Sequence, residues 1–403
     1  MKQTVVISLL ALALTVSAAD YDQNKPFGFC TVASRSNAAC TYQVTGGGCC
    51  AYPLPEGFAG KVAVLTSEGA DVDMEKTIER AIRHHDVIIL DGSKGDFFVA
   101  GKVDITLDNK TLLGINHARL CTRWHMTPAM KKTLDEAGVP SMSTSGGGGI
   151  LPNGARVREE AEYNTRKILI QMTGDSTELF RNAGVLSLRK CSNIIVRNIT
   201  FVGPGSVDVG GSDLLTCSGS TNCWIDHCAF QDGMDGNFDI NNQADFITVS
   251  WCTFSYTERS YMHQNTNLVG YSDREKVGFL NTTFAFNWWG EGCKQRMPMA
   301  RVGKIHMLNN YYTSTTASNC INPRKNSEFL IEGNYFDKGV KRYYSQDGAI
   351  AVTWTADNHI SEAATLPSSI GDAVTVPYDY TVAPCSAVPE VVKAKAGATL
   401  FGN

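Results

Sequence analysis

Residues 193–201, NIIVRNITF, decide the fold because segments of the same kind recur along the chain. Each copy is rich in Val, Ile, Phe and Thr and ends in an aromatic residue. The copies are NCWIDHCAF (222–230), DFITVSWCTF (245–254), VGFLNTTF (277–284), KIHMLNNYY (304–312) and FLIEGNYF (329–336). The terminal aromatic residues are therefore 29, 24, 30, 28 and 24 residues apart. A period of this length without helical periodicity is typical of a solenoid whose coils contain strands. The sequence predicts an all-β fold, a right-handed parallel β-helix.

The regions outside the repeat have separate predicted roles. Residues 73–85, DMEKTIERAIRHH, form an amphipathic pattern and predict a helix that caps the open N-terminal end of the solenoid. Residues 122–165 interrupt the repeat and predict a long loop excursion. We expect a repeat core over about 87–340, with residues 341–403 packed on its outside. Residues 20–403 would then form a single domain.

The first nineteen residues predict a cleavable signal peptide. Lys2 precedes an apolar run over 5–16, and small residues follow at 17–19. This pattern predicts a secreted or periplasmic protein. Export permits disulfides, and the candidates cluster early in the chain at Cys30, Cys40, Cys49 and Cys50. No later stretch reaches 18 apolar residues, so we expect no membrane insertion.

The overall composition excludes some function classes. The chain has 403 residues, of which 43% are hydrophobic and 19% charged, which argues against disorder as the overall state. Its 36 Lys and Arg against 40 Asp and Glu give a net charge of −4, so we expect no nucleic-acid partner. A local basic groove could still bind an acidic ligand. We expect a monomer.

Three aspartates recur at the spacing of one coil. Asp213 precedes Asp235 and Asp239 by 22 and 26 residues, so the three carboxylates would stack on adjacent coils. At about 4 Å and an effective dielectric near 20, each like-charge pair costs about 4 kcal/mol. Such a cluster must protonate, separate or bind a cation, and oxygen ligands without His or Cys favour Ca²⁺. The alternative is that the three residues occupy unrelated surface turns.

The same spacing continues into polar and basic residues. Asn265 follows Asp239 by 26 residues, Arg296 follows after 31 more, and Arg324 after another 28. This pattern predicts one face that runs from carboxylates to guanidinium groups, which suits a polymer with regularly spaced carboxylates. The alternative is that these arginines form salt bridges with the same aspartates.

Several motifs in order resemble those of the pectate lyases of polysaccharide lyase family 1. They are WIDH (224–227), DGNFDI (235–240), LVGYSD (268–273), QRMPMARVGKIHMLNNYY (295–312) and NPRKNSEFLIEGNYF (322–336). The match extends from about residue 75 to 340. The resemblance implies a parallel β-helix enzyme that cleaves α-1,4-linked polygalacturonate, or demethylated pectin, by β-elimination. The products would be 4,5-unsaturated oligogalacturonides.

The resemblance also implies roles for individual residues. Asp213, Asp235 and Asp239 would be the Ca²⁺ ligands and Arg296 the Brønsted base. Arg301 would be a supporting cation, and Arg324 would bind substrate. His227 of the WIDH motif would be structural rather than a base. Arginine normally stays protonated, so a basic role for Arg296 requires neighbouring positive charge.

Two positions depart from the family pattern. Asn265 stands where many members have a lysine, so one contact to a substrate carboxylate is either lost or supplied by another residue such as Lys294. The predicted substrate-binding set is therefore Arg301, Arg324, Asn265 and Lys294. Gly211 stands where some relatives have a further acidic ligand, which implies that substrate completes the calcium site.

Three other functions remain open from the sequence. A pectin lyase acting on methyl-esterified polymer would need no calcium and would have a cation in place of an aspartate. A polygalacturonase would hydrolyse through two carboxyl groups, for example Asp232 and Asp235, but would leave the arginines without a role. A non-catalytic glycan-binding β-helix would bind without turnover.

Overall fold

The described part of the chain is a parallel β-helix. The computed structural model describes residues 25–32, 60–139, 157–174, 183–209, 212–360 and 365–401. Within them the strands form three parallel sheets of ten, eight and seven strands, and the coil is right-handed. The predicted all-β fold is therefore confirmed.

Each full coil contributes one strand to each sheet. The ten-stranded sheet contains β1 (Val62–Thr66), β2 (Val87–Asp91), β5 (Lys110–Ile115), β8 (Ser192–Arg197), β11 (Thr221–Asp226), β14 (Asp245–Ser250), β17 (Thr282–Ala285), β20 (Lys304–Leu308), β23 (Glu328–Glu332) and β25 (Ala351–Trp354). The eight-stranded sheet contains β3 (Phe97–Val99), β6 (Arg119–Thr122), β9 (Thr200–Val202), β12 (Ala229–Gln231), β15 (Thr253–Ser255), β18 (Trp288–Trp289), β21 (Tyr311–Tyr312) and β24 (Tyr335–Phe336). The seven-stranded sheet contains β4 (Val103–Ile105), β7 (Leu186–Arg189), β10 (Leu215–Ser218), β13 (Phe238–Asn241), β16 (Leu268–Val269), β19 (Met299–Ala300) and β22 (Asn322–Pro323).

The repeated sequence segments cover one corner of the coil. All except residues 277–284 begin in a strand of the ten-stranded sheet, turn, and enter a strand of the eight-stranded sheet. The turning residue adopts a positive φ in five successive coils. These residues are Asn198, His227, Trp251, Phe286 and Asn309. The left-handed backbone conformation at this corner redirects the chain from one sheet to the next.

An aromatic ladder fills the interior at this corner. Phe201, Phe230 and Phe254 stack with ring centroids 5.0 and 5.1 Å apart. The next member is Trp289, 5.4 Å from Phe254, and not the predicted Phe284. Phe284 lies one sheet earlier, where it pairs in register with Val249 and Met307. The ladder then continues through Tyr312 and Phe336.

The predicted N-terminal capping helix is present as α1 (Glu75–His84). Its buried residues are Ile78, Ala81 and Ile82, and they belong to the main core cluster inside the coils. The helix therefore covers apolar surface that the first coils would otherwise expose to water.

The excursion contains two helices that pack beside the coils. They are α2 (Pro128–Glu136) and α3 (Val157–Thr173), and α2 begins with Thr127 Oγ1 accepting a hydrogen bond from Met130 N. Leu134 and Leu169 form a separate apolar cluster with Met234, the residue before Asp235. The excursion therefore supports one wall of the region that contains the predicted acidic residues.

The C-terminal part lies against the outer surface of the coils. The helix α4 (Val388–Lys395) packs Val388 and Val392 against Trp251 and Tyr311. Short 3₁₀ helices occur at Gly28–Thr31, Gly92–Lys94 and Cys385–Ala387. The ten-stranded sheet begins at Val62 and ends at Trp354, so it extends one strand beyond each limit of the predicted core.

Part of the N-terminal prediction lies outside the described residues. This applies to the signal peptide over 1–19 and to Cys40, Cys49 and Cys50. Cys30 is buried against Ile195 and Trp224, and no disulfide joins two described cysteines. None of the described helices is both long enough and apolar enough to cross a bilayer.

Candidate active site

The three predicted aspartates come together on the outer side of the seven-stranded sheet. Asp239 lies in β13 opposite Thr216 of the preceding coil, and Asp213 and Asp235 lie just before the strands of these two coils. A Cβ at Gly236 would lie 2.8 Å from Asp213 Oδ1 and 3.2 Å from Asp239 Oδ1. Only glycine therefore leaves room for the two carboxylates to approach this spot. We call Asp213, Asp235 and Asp239 the acidic cluster.

Asp213 and Asp239 disfavour each other's charge. Burial raises the pKa of Asp213 to about 7, and Asp235 adds to this shift while Lys102 opposes it. Burial also raises the pKa of Asp239 well above its ordinary value, with Asp213 acting in the same direction. Asp239 Oδ1 is fixed by a hydrogen bond of 2.9 Å from Leu268 N. The two carboxyls therefore form a site that would be stabilised by a proton or a bound cation.

Asp235 faces a histidine instead. Its Oδ1 lies 2.9 Å from His263 Nε2, and His263 Nδ1 lies 3.6 Å from Asp208 Oδ1. Although burial lowers the pKa of His263, hydrogen bonds to Asp208 and Asp235 raise it to about 9. For Asp235, burial raises the pKa, but the hydrogen bond and the charge of His263 outweigh burial, so the pKa of Asp235 is lowered overall. Asp235 is therefore ionised and paired.

No preformed metal cluster exists among the described residues. No group of three His, Cys, Asp or Glu side chains within them is arranged to hold a metal ion. Asp235 Oδ1 is instead occupied by its contact with His263 Nε2, although its charge still acts on Asp213. Asp213 and Asp239 still supply oxygen donors around the space above Gly236, which are the donors that Ca²⁺ prefers.

A lysine that the sequence did not indicate also reaches the acidic cluster. Lys102 precedes β4, and its Nζ lies 3.3 Å from Thr216 Oγ1, which in turn lies 3.5 Å from Asp213 Oδ2. A Cβ at Gly184 would lie 2.5 Å from Lys102 Cε, so this glycine leaves the path of the lysine stem open. Burial lowers the pKa of Lys102, while Asp213 is the strongest opposing charge.

Two of the predicted arginines lie next to each other on adjacent coils. Ala300 pairs in register with Pro323, and Arg301 and Arg324 follow these residues. Arg301 therefore neighbours Arg324, and the predicted one-coil step from Arg296 to Arg324 is wrong. We call Arg301 and Arg324 the arginine pair.

The arginine pair has its own counter-ions. Arg301 Nε lies 3.0 Å from Asp273 Oδ1, and Arg324 Nη2 lies 2.8 Å from Asp347 Oδ2. No ion pair within the described part of the chain joins these arginines, or Arg296, to the acidic cluster. The alternative that the arginines form salt bridges with those aspartates is therefore wrong for the described residues.

Arg296 lies on the same coil as Arg301, directly after Gln295, which bridges to Asn265. Its positive charge opposes the effects of burial on Asp213 and Asp239. Burial lowers the pKa of Arg301, Asp273 opposes this, and Arg324 and then Arg296 add to it. Arg296 thus acts electrostatically on both groups. Its backbone has a φ of +61°, an uncommon conformation for arginine that is frequent at functional sites.

The other two predicted substrate-binding residues, Asn265 and Lys294, do not belong to the arginine pair. Asn265 forms a bridge with Gln295 rather than with Arg296, and Ile240, the residue after Asp239, pairs with Val269. The predicted one-coil steps from Asp239 to Asn265 and from Asn265 to Arg296 are therefore both wrong. Asn265 Nδ2 lies 3.0 Å from His263 Nε2, which brings Asn265 to the acidic cluster. Lys294 makes no side-chain hydrogen bond or ion pair among the residues the structure describes, and its backbone N donates to Gln264 O.

His227 is separated from this surface. It is fully buried, its Nδ1 lies 2.7 Å from Asp226 Oδ2, and its ring stacks on Trp251. A side chain without exposure cannot contact a polymer, which agrees with the structural interpretation of the WIDH motif.

The sequence missed Lys102, His263 and Asp208. His263 could have been noticed because it precedes Asn265, the position that departs from the family pattern, by two residues. Lys102 gave no such signal, because it lies upstream of all the recurring segments and reaches the site only through the coiling of the chain.

Comparison with known proteins agrees with this fold. Residues 153–399 match the family described as pectate lyase. Pectate lyase A of Aspergillus niger is 34% identical over 236 residues, which cover 56% of this chain and 68% of that protein. The probable pectate lyase A of Neosartorya fischeri is 33% identical over the same lengths. Among solved structures, the cedar-pollen major allergen jun a 1 has a TM-score of 0.57 at 20% identity, over 84% of this chain and 88% of that one.

The protein is thus an enzyme of the polysaccharide lyase class built on a right-handed parallel β-helix. Within that class, the chain belongs to the pectate lyase family, since the family match covers more than half of its residues.

Proposed function

We propose that this enzyme cleaves α-1,4-linked polygalacturonate by calcium-dependent β-elimination and releases 4,5-unsaturated oligogalacturonides. The observation that carries the proposal is that the acidic cluster, Arg296 and the arginine pair lie on coils of the same seven-stranded sheet, and that the charge of Arg296 acts on both groups. A polymer with a carboxylate on every unit can then meet a cation-binding site at one end and fixed guanidinium groups at the other.

The acidic cluster has the donors for Ca²⁺. Asp213 and Asp239 would hold the ion above Gly236, and Asp235 would join them on leaving His263. The bound ion would neutralise the C6 carboxylate of a sugar unit and make its C5 proton more acidic. Lys102 and His263 already bring positive charge to the cluster, so the carboxylates of the substrate would favour ion binding.

The remaining steps use the chain's own side chains. A neutral Arg296 guanidine would take the C5 proton, and the electrons of that bond would form the C4–C5 double bond. The bond between C4 and the glycosidic oxygen then breaks, and that oxygen leaves with a proton from water. Arg301 and Arg324 would hold neighbouring carboxylates of the polymer.

A second candidate is cleavage of methyl-esterified pectin. Lys102 and His263 supply fixed positive charge beside the acidic cluster, and three ligands are not preformed there among the described side chains. An esterified unit carries no carboxylate charge and would need no bound metal ion. The three retained aspartates favour the demethylated polymer.

One assay separates these functions. We expect ultraviolet absorbance from an unsaturated product with polygalacturonate and calcium, reversible loss of activity with EDTA, and weak activity on highly methylated pectin. Full activity in EDTA with a preference for methylated pectin would favour the second candidate. New reducing ends without absorbance would indicate a hydrolase, and binding without either product would indicate a glycan-binding protein.

We further propose that residues 1–19 are removed on export to the periplasm or exterior and that residues 20–403 act as a single monomeric domain. The apolar run over 5–16 and the small residues that follow it support this proposal. N-terminal sequencing of exported protein tests the cleavage, and light scattering tests the oligomeric state. A mature protein that begins at Met1, or a stable dimer, would contradict it.

A further inference from the structure

A polar cavity of about 450 Å³ adjoins the acidic cluster on the side away from the arginine pair. It lies on the outer side of the seven-stranded sheet, and its walls include Asp104 of β4, Ser218 of β10 and Asn241 of β13. Ser218 and Asn241 are paired in register on adjacent coils. The cavity therefore extends over the coils from β4 to β13, three steps of the sheet or about 14 Å.

The cavity and the acidic cluster share a wall. Thr216 lines the cavity and lies 3.5 Å from Asp213 Oδ2, and it is paired in register with Asp239. Lys102 also lines the cavity, with its Nζ 3.3 Å from Thr216 Oγ1. Lys102 and Thr216 therefore line the cavity and also contact each other beside Asp213, so a polymer bound across the acidic cluster would lie next to the cavity.

The lining suits a sugar with a carboxylate. Asn242 Nδ2 donates to Ser218 Oγ and to Asn241 Oδ1, and the Ser218 hydroxyl and the Asn241 amide nitrogen are donors that can serve sugar oxygens. The charged lining residues are Lys102, Arg189, Asp104 and Glu75. Arg189 is 59% exposed, and its Nη1 lies 3.6 Å from Asp104 Oδ2. An exposed pair at this distance is worth about 1 kcal/mol or less, so a ligand carboxylate can compete with Asp104 for the guanidinium.

We propose that this cavity is a saccharide subsite for units of the uronate polymer remote from the bond that is cleaved. Ser218 and Asn241 bind sugar hydroxyl groups there, and Arg189 binds a carboxylate. The proposal rests on the proposed function, since it needs a uronate polymer at the acidic cluster. It adds binding residues that the recurring segments and the motifs do not include.

The subsite predicts a dependence on chain length. A trimer can be held by the acidic cluster and the arginines alone, whereas a longer chain also reaches the cavity. We expect Arg189→Ala to lower the ratio of kcat/KM for polygalacturonate to kcat/KM for trigalacturonate about tenfold, the effect of losing one charge-assisted contact. Ser218→Phe, which fills the cavity while keeping a residue that favours strands, should lower the ratio similarly. Arg83→Ala, at an exposed position on α1, is the matched control and should leave it unchanged.

A binding experiment separates this inference from the proposed function. We would titrate hexagalacturonate into Arg296→Ala and into the double variant with Arg189→Ala by calorimetry. Weaker binding by the double variant supports the subsite. If the unsubstituted enzyme turns over polygalacturonate, but Arg189→Ala changes neither the ratio of the two kcat/KM values nor the binding of hexagalacturonate, the subsite alone would be overturned. If hexagalacturonate binding depends on Arg189 but the unsubstituted enzyme does not turn over polygalacturonate, the proposed function alone would be overturned.

Discussion

His263 Nε2 lies 2.9 Å from Asp235 Oδ1, so one carboxylate of the acidic cluster is already paired with a side chain of the protein. Burial lowers the pKa of His263, but Asp208 and Asp235 raise it to about 9, and the imidazole is therefore charged at neutral pH. Lys102 brings a second positive charge to the same cluster through Thr216. Any divalent ion that binds Asp213 and Asp239 must do so beside these two cations.

His263→Gln should increase the affinity of the metal-free enzyme for Ca²⁺ about tenfold, or 1.4 kcal/mol. The substitution removes one positive charge near the ion and keeps a side chain that can hydrogen-bond Asp235. Calcium titration by calorimetry measures the change without turnover. His84→Gln, at an exposed position on α1, is the control. Weaker binding by His263→Gln would mean instead that His263 holds Asp235 in the orientation that the ion requires.

Asp213→Asn should raise the melting temperature of the enzyme in EDTA at pH 8 by a few degrees. Burial and Asp235 raise the pKa of Asp213 to about 7 in the folded state, against about 3.9 in an unfolded chain. Between these values the folded protein binds more protons than the unfolded one, so the contribution of Asp213 to stability falls as the pH rises from 4 to 7. Above pH 7 the folded protein bears the full penalty of the buried charge, which the amide removes.

At pH 5 the same substitution should have a much smaller effect, because Asp213 is then protonated. Calcium at pH 8 should stabilise the unsubstituted enzyme, since a ligand that binds only the folded state shifts the equilibrium, and it should stabilise Asp213→Asn less. Asp372→Asn, at an exposed position, controls for the change in net charge. Equal gains at pH 5 and pH 8 would show that the charge of Asp213 is not the cause.

Asp273→Asn should lower the KM for polygalacturonate by up to about fivefold at low ionic strength, with little change in kcat. Asp273 Oδ1 lies 3.0 Å from Arg301 Nε, and its Oδ2 lies 3.9 Å from Lys325 Nζ. A uronate carboxylate must compete with this exposed carboxylate, and such pairs are worth about 1 kcal/mol or less. The gain should shrink as salt screens the charges. A higher KM would indicate that Asp273 orients Arg301 for binding, and Asp372→Asn again serves as the control.

The coil architecture was predictable from sequence because strand residues recur at a nearly constant period. Phe201, Phe230 and Phe254 were placed correctly in the interior ladder. The next member of the ladder was predicted to be Phe284, but it is Trp289. Aromatic residues occur both in β17 and five residues later in β18, and the sequence alone does not indicate which one enters the stack. Packing settles it, since Trp289 stacks on Phe254 and on Tyr312.

The candidate site was predictable only where it follows the period. Asp213 and Asp239 lie on adjacent coils and meet above Gly236, although Asp239 pairs in register with Thr216 rather than with Asp213. The turn of Asp235 toward His263 depends on side-chain orientation, which a spacing does not encode. Arg301 rather than Arg296 neighbours Arg324 because the coil length changes in this region, and a shift in register changes which side chains share a face.

Arg296→Lys should lower kcat on polygalacturonate by at least about a hundredfold and leave KM within about twofold, because general-base groups typically contribute 10²- to 10⁴-fold to the rate. Lysine keeps the positive charge that acts on both the acidic cluster and the arginine pair, so Ca²⁺ affinity and the melting temperature should not change. Arg296→Ala should also fold and bind Ca²⁺ while losing nearly all turnover. Arg342→Lys, at an exposed position, is the matched control. If Arg296→Lys loses affinity for polygalacturonate in proportion to its loss of rate, Arg296 binds substrate in the ground state and another group must remove the proton.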